Sequence, residues 1–206
     1  MKTLVIIIPG AKIEPSVRVK KLFGFFYRFF GIDTAGRHWA YQLKQYLEND
    51  QSISAEVFDW PRGFSQTFTL KPATRKLAKL IAEEQKDFSK IILFGKSLGG
   101  TIAKLAVLNN PNLPIEKIIY VAVPHKISAK QIPQHIKIIN IYSDIDNYIS
   151  FANMVLYCGF GKKIINNAVN INLPLKHGDF NRNIEVSYNN QNLKLFELYK
   201  KLVLEG

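Results

Sequence analysis

Short apolar, β-branched runs alternate along this chain with stretches in which apolar residues recur every three or four positions. The runs Thr3–Ile8, Ala55–Phe58, Lys90–Phe94, Lys117–Val123 and Lys137–Tyr142 are nearly continuous in apolar residues, as strands covered on both faces are. Between them the spacing predicts helices over 36–49 (Trp39, Leu43, Leu47), 72–86 (Ala73, Leu77, Leu80, Ile81), 98–109 (Ile102, Ala103, Leu105, Ala106, Leu108) and 190–204 (Leu193, Phe196, Tyr199, Leu202, Val203). A last, asparagine-rich strand is read within Lys163–Leu173. Alternation of this kind predicts the α/β class, a three-layer sandwich with a mostly parallel central sheet. Ligands of such sheets collect at the carboxyl ends of the strands, which here read Pro9-Gly10, Trp60-Pro61, Gly95-Lys96-Ser97, Pro124-His125 and Ser143 to Asp146.

A chain of 206 residues is long enough for one well-buried core and short for two, so a single domain over 1–206 is expected. Cys158 is the sole cysteine, which excludes an intrachain disulfide. The apolar start, Leu4 to Ile8, breaks at Pro9-Gly10 and reads as a first buried strand rather than the core of a signal peptide. No stretch approaches the roughly 20 apolar residues of a membrane span. A cytoplasmic protein is the expectation. The net charge of +12 favours anionic partners, and five of the cations (Arg62, Lys71, Arg75, Lys76, Lys79) fall between 61 and 80 with no acid among them.

The chemistry concentrates in Ile91-Ile92-Leu93-Phe94-Gly95-Lys96-Ser97-Leu98-Gly99-Gly100. One serine stands between two glycines where an apolar run gives way to a helical pattern, which is the layout of a nucleophile elbow. Gly95 and Gly99 leave room for a tight turn, and the new helix aims free N–H groups at any oxyanion formed beside Ser97. Gly95-Lys96-Ser97 also ends like a phosphate-binding loop, but that loop needs glycine at position 90, where this chain has Lys90 followed by strand.

A serine nucleophile needs a base, and the base needs a carboxylate to hold its tautomer. Four histidines are available. His38 precedes Trp39 at a helix start, His135 lies in a loop approaching a strand, His125 follows a strand end, and His177 sits in a polar loop before Gly178. For the acid, Asp144 and Asp146 both follow the strand ending at Tyr142, and Asp59 ends an earlier one. No His-x-x-His or Glu-x-x-His pairing suggests a metal. The aromatic residues lie on a helical stripe instead of alternating with basic residues on a strand, which disfavours nucleic acid as a partner.

On these residues the chain resembles a small member of the α/β-hydrolase superfamily. The order Ser97, Asp146, His177 is that family's order of nucleophile, acid and base. Its acid often follows a strand as a small residue, two residues, Asp, two residues and an apolar residue. Ser143-Asp144-Ile145-Asp146-Asn147-Tyr148-Ile149 fits that register with Asp146 rather than Asp144. The family's oxyanion turn, commonly His-Gly plus one residue, reads Pro9-Gly10-Ala11 here, so the resemblance implies Ala11 and Leu98 N–H groups as the oxyanion hole. It extends from about Leu4 to the C-terminus and implies a compact form with five or six parallel strands and no cap between Pro124 and Ile136. The implied activity is hydrolysis of carboxylic esters, lipid-like acyl esters among them, through a Ser-His-Asp triad and an acyl-enzyme, with no cofactor or metal. Thioester or amide cleavage would use the same three residues, and a catalytically silent interaction protein could share the fold.

The stretch 12–35 is an insert in that comparison. Its apolar residues at 22, 25, 26, 29 and 30 form one stripe on a short helix, with Lys20, Lys21 and Arg28 off it or at its edge. A lid over an acyl pocket, a segment making weak contact with an anionic membrane, and a helix packed on the sheet all fit this pattern.

Overall fold

The five apolar runs and the asparagine-rich strand lie side by side in one sheet, in the order β2-β1-β3-β4-β5-β6 and parallel throughout. The computed structural model describes residues 2–10, 38–60, 66–124, 132–149 and 164–205. In chain order the elements are β1 (Thr3–Ile8), α1 (His38–Glu48), β2 (Ile53–Val57), α2 (Gln66–Glu84), β3 (Lys90–Lys96), α3 (Leu98–Asn109), β4 (Ile115–Val121), β5 (Lys137–Tyr142), β6 (Val169–Asn172), β7 (Glu185–Tyr188), β8 (Gln191–Lys194) and α4 (Leu195–Leu204). The insert 12–35 lies outside the described residues. Among those described, no helix is long and apolar enough to cross a membrane.

Alternate residues of each strand feed two separate cores, because successive side chains on a strand point to opposite faces. Val5, Ile7, Ile92, Phe94, Ile119 and Ile139 pack with the buried faces of α1 and α4. Leu4, Ile6, Ile91, Leu93, Ile118 and Ile138 pack with those of α2 and α3. This is the expected three-layer sandwich. β4 and α4 are also tied by Lys117, whose buried ammonium donates to the carbonyls of Leu202 (2.8 Å), Val203 (3.0 Å) and Glu205. A cation at the carboxyl end of a helix satisfies orphan carbonyls and opposes the helix dipole.

Several elements differ from their sequence reading at their ends, four of them as follows. The helix expected from 72 begins at Gln66 and runs through Pro72, losing one ladder bond while Ala73, Leu77 and Ile81 keep their face buried. The helix expected from 190 starts at Leu195. Asn189 and Asn190 hold φ of 50° and 61°, so the two-residue loop of a β7–β8 hairpin replaces the first turn, and Leu193 pairs with Val186. The strand read within 163–173 is only Val169–Asn172. Before it the Asn170 side chain accepts from the Ile165 N–H (3.0 Å) and donates to the carbonyls of Ile165 (2.8 Å) and Ala168 (3.0 Å), folding the backbone into a loop. β4 ends two residues early, because Ala122 takes φ 49°.

Candidate active site

β3 ends at Lys96, Ser97 adopts φ 51° and ψ −125°, and α3 begins at Leu98. A positive φ is costly for a residue with a side chain and persists only where the surroundings enforce it. Here they do. The Ser97 N–H donates to Val121 of β4 (2.9 Å), and the Ser97 carbonyl accepts from Gly100 in the first turn of α3 (3.0 Å). A Cβ on Gly99 would lie 2.0 Å from the Ile8 carbonyl oxygen, so only glycine lets α3 start against the end of β1. Gly99→Ala should therefore lower stability by about 2–4 kcal/mol, measured by denaturant unfolding, because backbone rather than a movable side chain must yield. A variant as stable as the parent would show that the elbow is loosely seated.

The sheet order places this turn where ligands of open α/β sheets gather. From β1 the chain builds to one side with β2 and to the other with β3 and its successors, so the switch point falls between β1 and β3. Gly10, just past β1, passes directly beside the nucleophile candidate: a Cβ there would stand 3.0 Å from Ser97 Cβ and 3.6 Å from Oγ. The Leu98 N–H belongs to the first helical residue, which has no acceptor inside its own helix. Ala11, the other expected oxyanion donor, lies outside the described residues.

Asp146 and His177 meet at the same edge. Asp146 follows β5, is 1% exposed, and splits its carboxylate: Oδ1 accepts from the Ile149 N–H (3.0 Å) and Oδ2 lies 2.9 Å from His177 Nδ1. A carboxylate can only accept, so Nδ1 carries the proton and the neutral ring keeps its lone pair on Nε2. His177 comes from the loop after β6. The Tyr148 ring covers it at 4.4 Å between centroids and 37° between planes. The loop is held from behind by Tyr199 of α4, whose hydroxyl donates to the Phe180 carbonyl (3.2 Å). Burial lowers the His177 pKa most, and the positive charge of Lys96 lowers it further, against the hydrogen bond and charge of Asp146, which raise it. The ring is thus biased towards the neutral form.

The remaining candidates stand elsewhere. Asp144 is exposed, and its Oδ2 accepts from the Asn172 side chain (2.6 Å) while its N–H donates to Asn172 Oδ1 (3.3 Å), a clamp between the β5 loop and the end of β6. His38 is exposed on α1 beside Gln42 (3.1 Å), His135 is exposed in the turn before β5, and Asp59 is exposed after β2. His125 lies outside the described residues. A cleft of about 770 Å³ between α1 and residues 181–183 has none of Ser97, Asp146 and His177 in its wall, so it has no bearing on the chemistry at the elbow. Sequence reasoning did not pick out Tyr148 or Ala122. The first carries no motif beyond an aromatic two residues after an acid, and the second is an alanine in a conformation that alanine does not advertise.

A family model described as PGAP1-like alpha/beta domain matches residues 62–173, more than half of the 206. Among solved structures the chain is similar to a proposed cell surface hydrolase from Lactobacillus plantarum WCFS1, at 12% identity and TM-score 0.55 over 98% of this chain and 90% of that one. It is also similar to a predicted CIB-like hydrolase from Thermoplasma acidophilum, at 13% identity and TM-score 0.54 over 97% and 83%. At these identities the likeness is one of fold. An extracellular alpha/beta-hydrolase from a Paenibacillus species matches at 15% identity and TM-score 0.41, covering 76% of this chain and 52% of its own. The chain spans about half the length of that hydrolase. No curated protein sequence matches it.

Proposed function

We propose that this chain, which belongs to the PGAP1-like alpha/beta-domain family of the α/β-hydrolase superfamily, is a serine hydrolase that cleaves carboxylic esters through an acyl-enzyme. The observation that carries the reading is the buried contact between Asp146 Oδ2 and His177 Nδ1 at the sheet edge where Ser97 occupies its strained turn. In this reading His177 Nε2 takes the proton of Ser97 as Oγ attacks the ester carbonyl, and the tetrahedral oxyanion is held by the Leu98 and Ala11 N–H groups. His177 then gives the proton to the departing alcohol, leaving an acyl-serine. Water, deprotonated by the same nitrogen, releases the acid and restores Ser97. Asp146 keeps Nε2 free to accept and stabilises the imidazolium while it lasts. Covalent labelling by a fluorophosphonate tests the nucleophile directly.

The acyl group is assigned to the medium and long range. The apolar stripe of residues 22–30 supports this, since each methylene taken out of water contributes about 0.8 kcal/mol. Over a series of nitrophenyl esters, kcat/KM should therefore rise from acetyl towards octanoyl, by about threefold to fourfold for each methylene that is fully buried. A steady fall with chain length would remove the lipid-like substrate and leave small esters or amides.

A further inference from the structure

His177 is 7% exposed, and any step in which it takes a proton makes a buried cation of it. At Nδ1 that charge meets the Asp146 carboxylate, 2.9 Å away. Against the ring itself lies Tyr148, with 4.4 Å between centroids and 37° between planes, nearer a stack than an edge-on contact. The same carboxylate orders this second contact. Asp146 Oδ1 accepts from the Ile149 N–H (3.0 Å) and so holds the turn that carries Tyr148, while Ile149 is buried in the core on the α1 and α4 side and Tyr148 packs against that core. The imidazole is thereby kept inside the roughly 6 Å over which an aromatic face attracts a cation. The phenol is no acid or base near neutral pH, because burial, and then the Asp146 charge, raise its pKa. What Tyr148 offers His177 is its ring.

We propose that Tyr148 is a positioning residue of this site that stabilises the protonated form of His177 through the face of its aromatic ring. The use of this preference in turnover rests on the serine-hydrolase reading, whereas the effect on the imidazole does not. An aromatic face is negative, so it attracts an imidazolium and finds no charge to attract in the neutral ring. An aliphatic side chain of similar size would exclude water as well, without that preference. An interaction made only while the charge exists favours the transition state over bound substrate and therefore acts on kcat rather than KM. Among the charged groups about His177, the hydrogen bond and charge of Asp146 favour the proton and the charge of Lys96 opposes it. On its own loop Lys176 is exposed, and the Asp179 carboxylate is turned to the Lys176 N–H (3.1 Å) and to Arg182 (3.7 Å). A change confined to the electrons of the ring at 148 leaves all of these in place.

The test keeps the shape of that ring and alters its face. In the full chain carrying Ser97→Ala, Tyr148→Phe is compared with the same chain bearing pentafluorophenylalanine at position 148, whose fluorines reverse the polarity of the face. By NMR titration of His177, the ratio of protonated to neutral ring at a given pH should be lower with the fluorinated ring by about threefold or more. With Ser97 restored, the same exchange should lower kcat by about threefold or more and leave KM within about twofold. A contact that served packing alone would not follow the fluorines. A folded pentafluoro protein with an unchanged or higher ratio overturns the proposal. Difluorophenylalanine gives the same comparison, with a fall of about 1.5-fold, if the pentafluoro protein does not fold. A moved titration without fluorophosphonate labelling supports the action of Tyr148 on the imidazole and sinks the hydrolase reading. Labelling with an unmoved titration spares that reading and sinks the role of Tyr148.

Discussion

Ser97→Ala is expected to lower ester hydrolysis at least about a thousandfold and to abolish fluorophosphonate labelling, while the protein stays folded. The argument is geometric. Ser97 is held by the Val121 carbonyl on one side and the first turn of α3 on the other, so the alanine keeps the backbone and loses only the oxygen. The same site separates function from stability. Its φ of 51° strains any residue with a Cβ, so Ser97→Gly should be as inactive as alanine yet more stable than the parent by about 1 kcal/mol. Mass spectrometry of the labelled chain and urea unfolding of both variants read the two effects. A folded parent that takes no label, or an alanine variant that still takes it, removes Ser97 as nucleophile.

The elbow is legible in the sequence because its constraints are local. An apolar run, a glycine, a serine and a second glycine allow few backbone paths, and β3 and α3 meet at Ser97 as that pattern requires. β1 and β5 match their sequence reading residue for residue, since each is a short run dominated by β-branched apolar residues. Where side-chain hydrogen bonds compete with periodicity, the periodicity misleads. Leu193 fits a helical stripe with Phe196, but two adjacent asparagines accept left-handed conformations and make a hairpin first. Asn170 likewise takes up backbone groups that a longer β6 would have used.

Contacts between distant loops had no local signal at all. Tyr148 covers His177 from 29 positions away, and Tyr199 of α4 steadies the same loop through the Phe180 carbonyl. The sequence names Lys96 only as the free position of a motif, and its burial depends on what the sheet stacks around it. The triad candidates were legible by order along the chain, because a parallel sheet delivers each strand end to one edge whatever the lengths between. Choosing between Asp144 and Asp146 needed two residues of register, which periodicity cannot supply.

That register carries the second large effect: Asp146→Asn should cost roughly 10³-fold or more in kcat/KM, and Asp144→Asn less than about threefold. The asparagine at 146 can still accept from the Ile149 N–H with its oxygen, so the turn survives. Its amide nitrogen then faces His177 Nδ1 as a donor, which forces the ring proton onto Nε2. A ring in that tautomer has no lone pair for the Ser97 proton. The defect is thus chemical, and unfolding by denaturant should report at most about 1–3 kcal/mol lost, the usual scale for a damaged buried hydrogen bond. At 144 the same replacement alters an exposed clamp to Asn172 that water can replace, and neither residue of that clamp is in the Asp146–His177 contact. Esterase kinetics on both variants, with stability measured on the same samples, distinguishes the two carboxylates. A large loss at Asp144 with activity retained at Asp146 would shift the acid by two residues and make the Asp146–His177 contact a structural one.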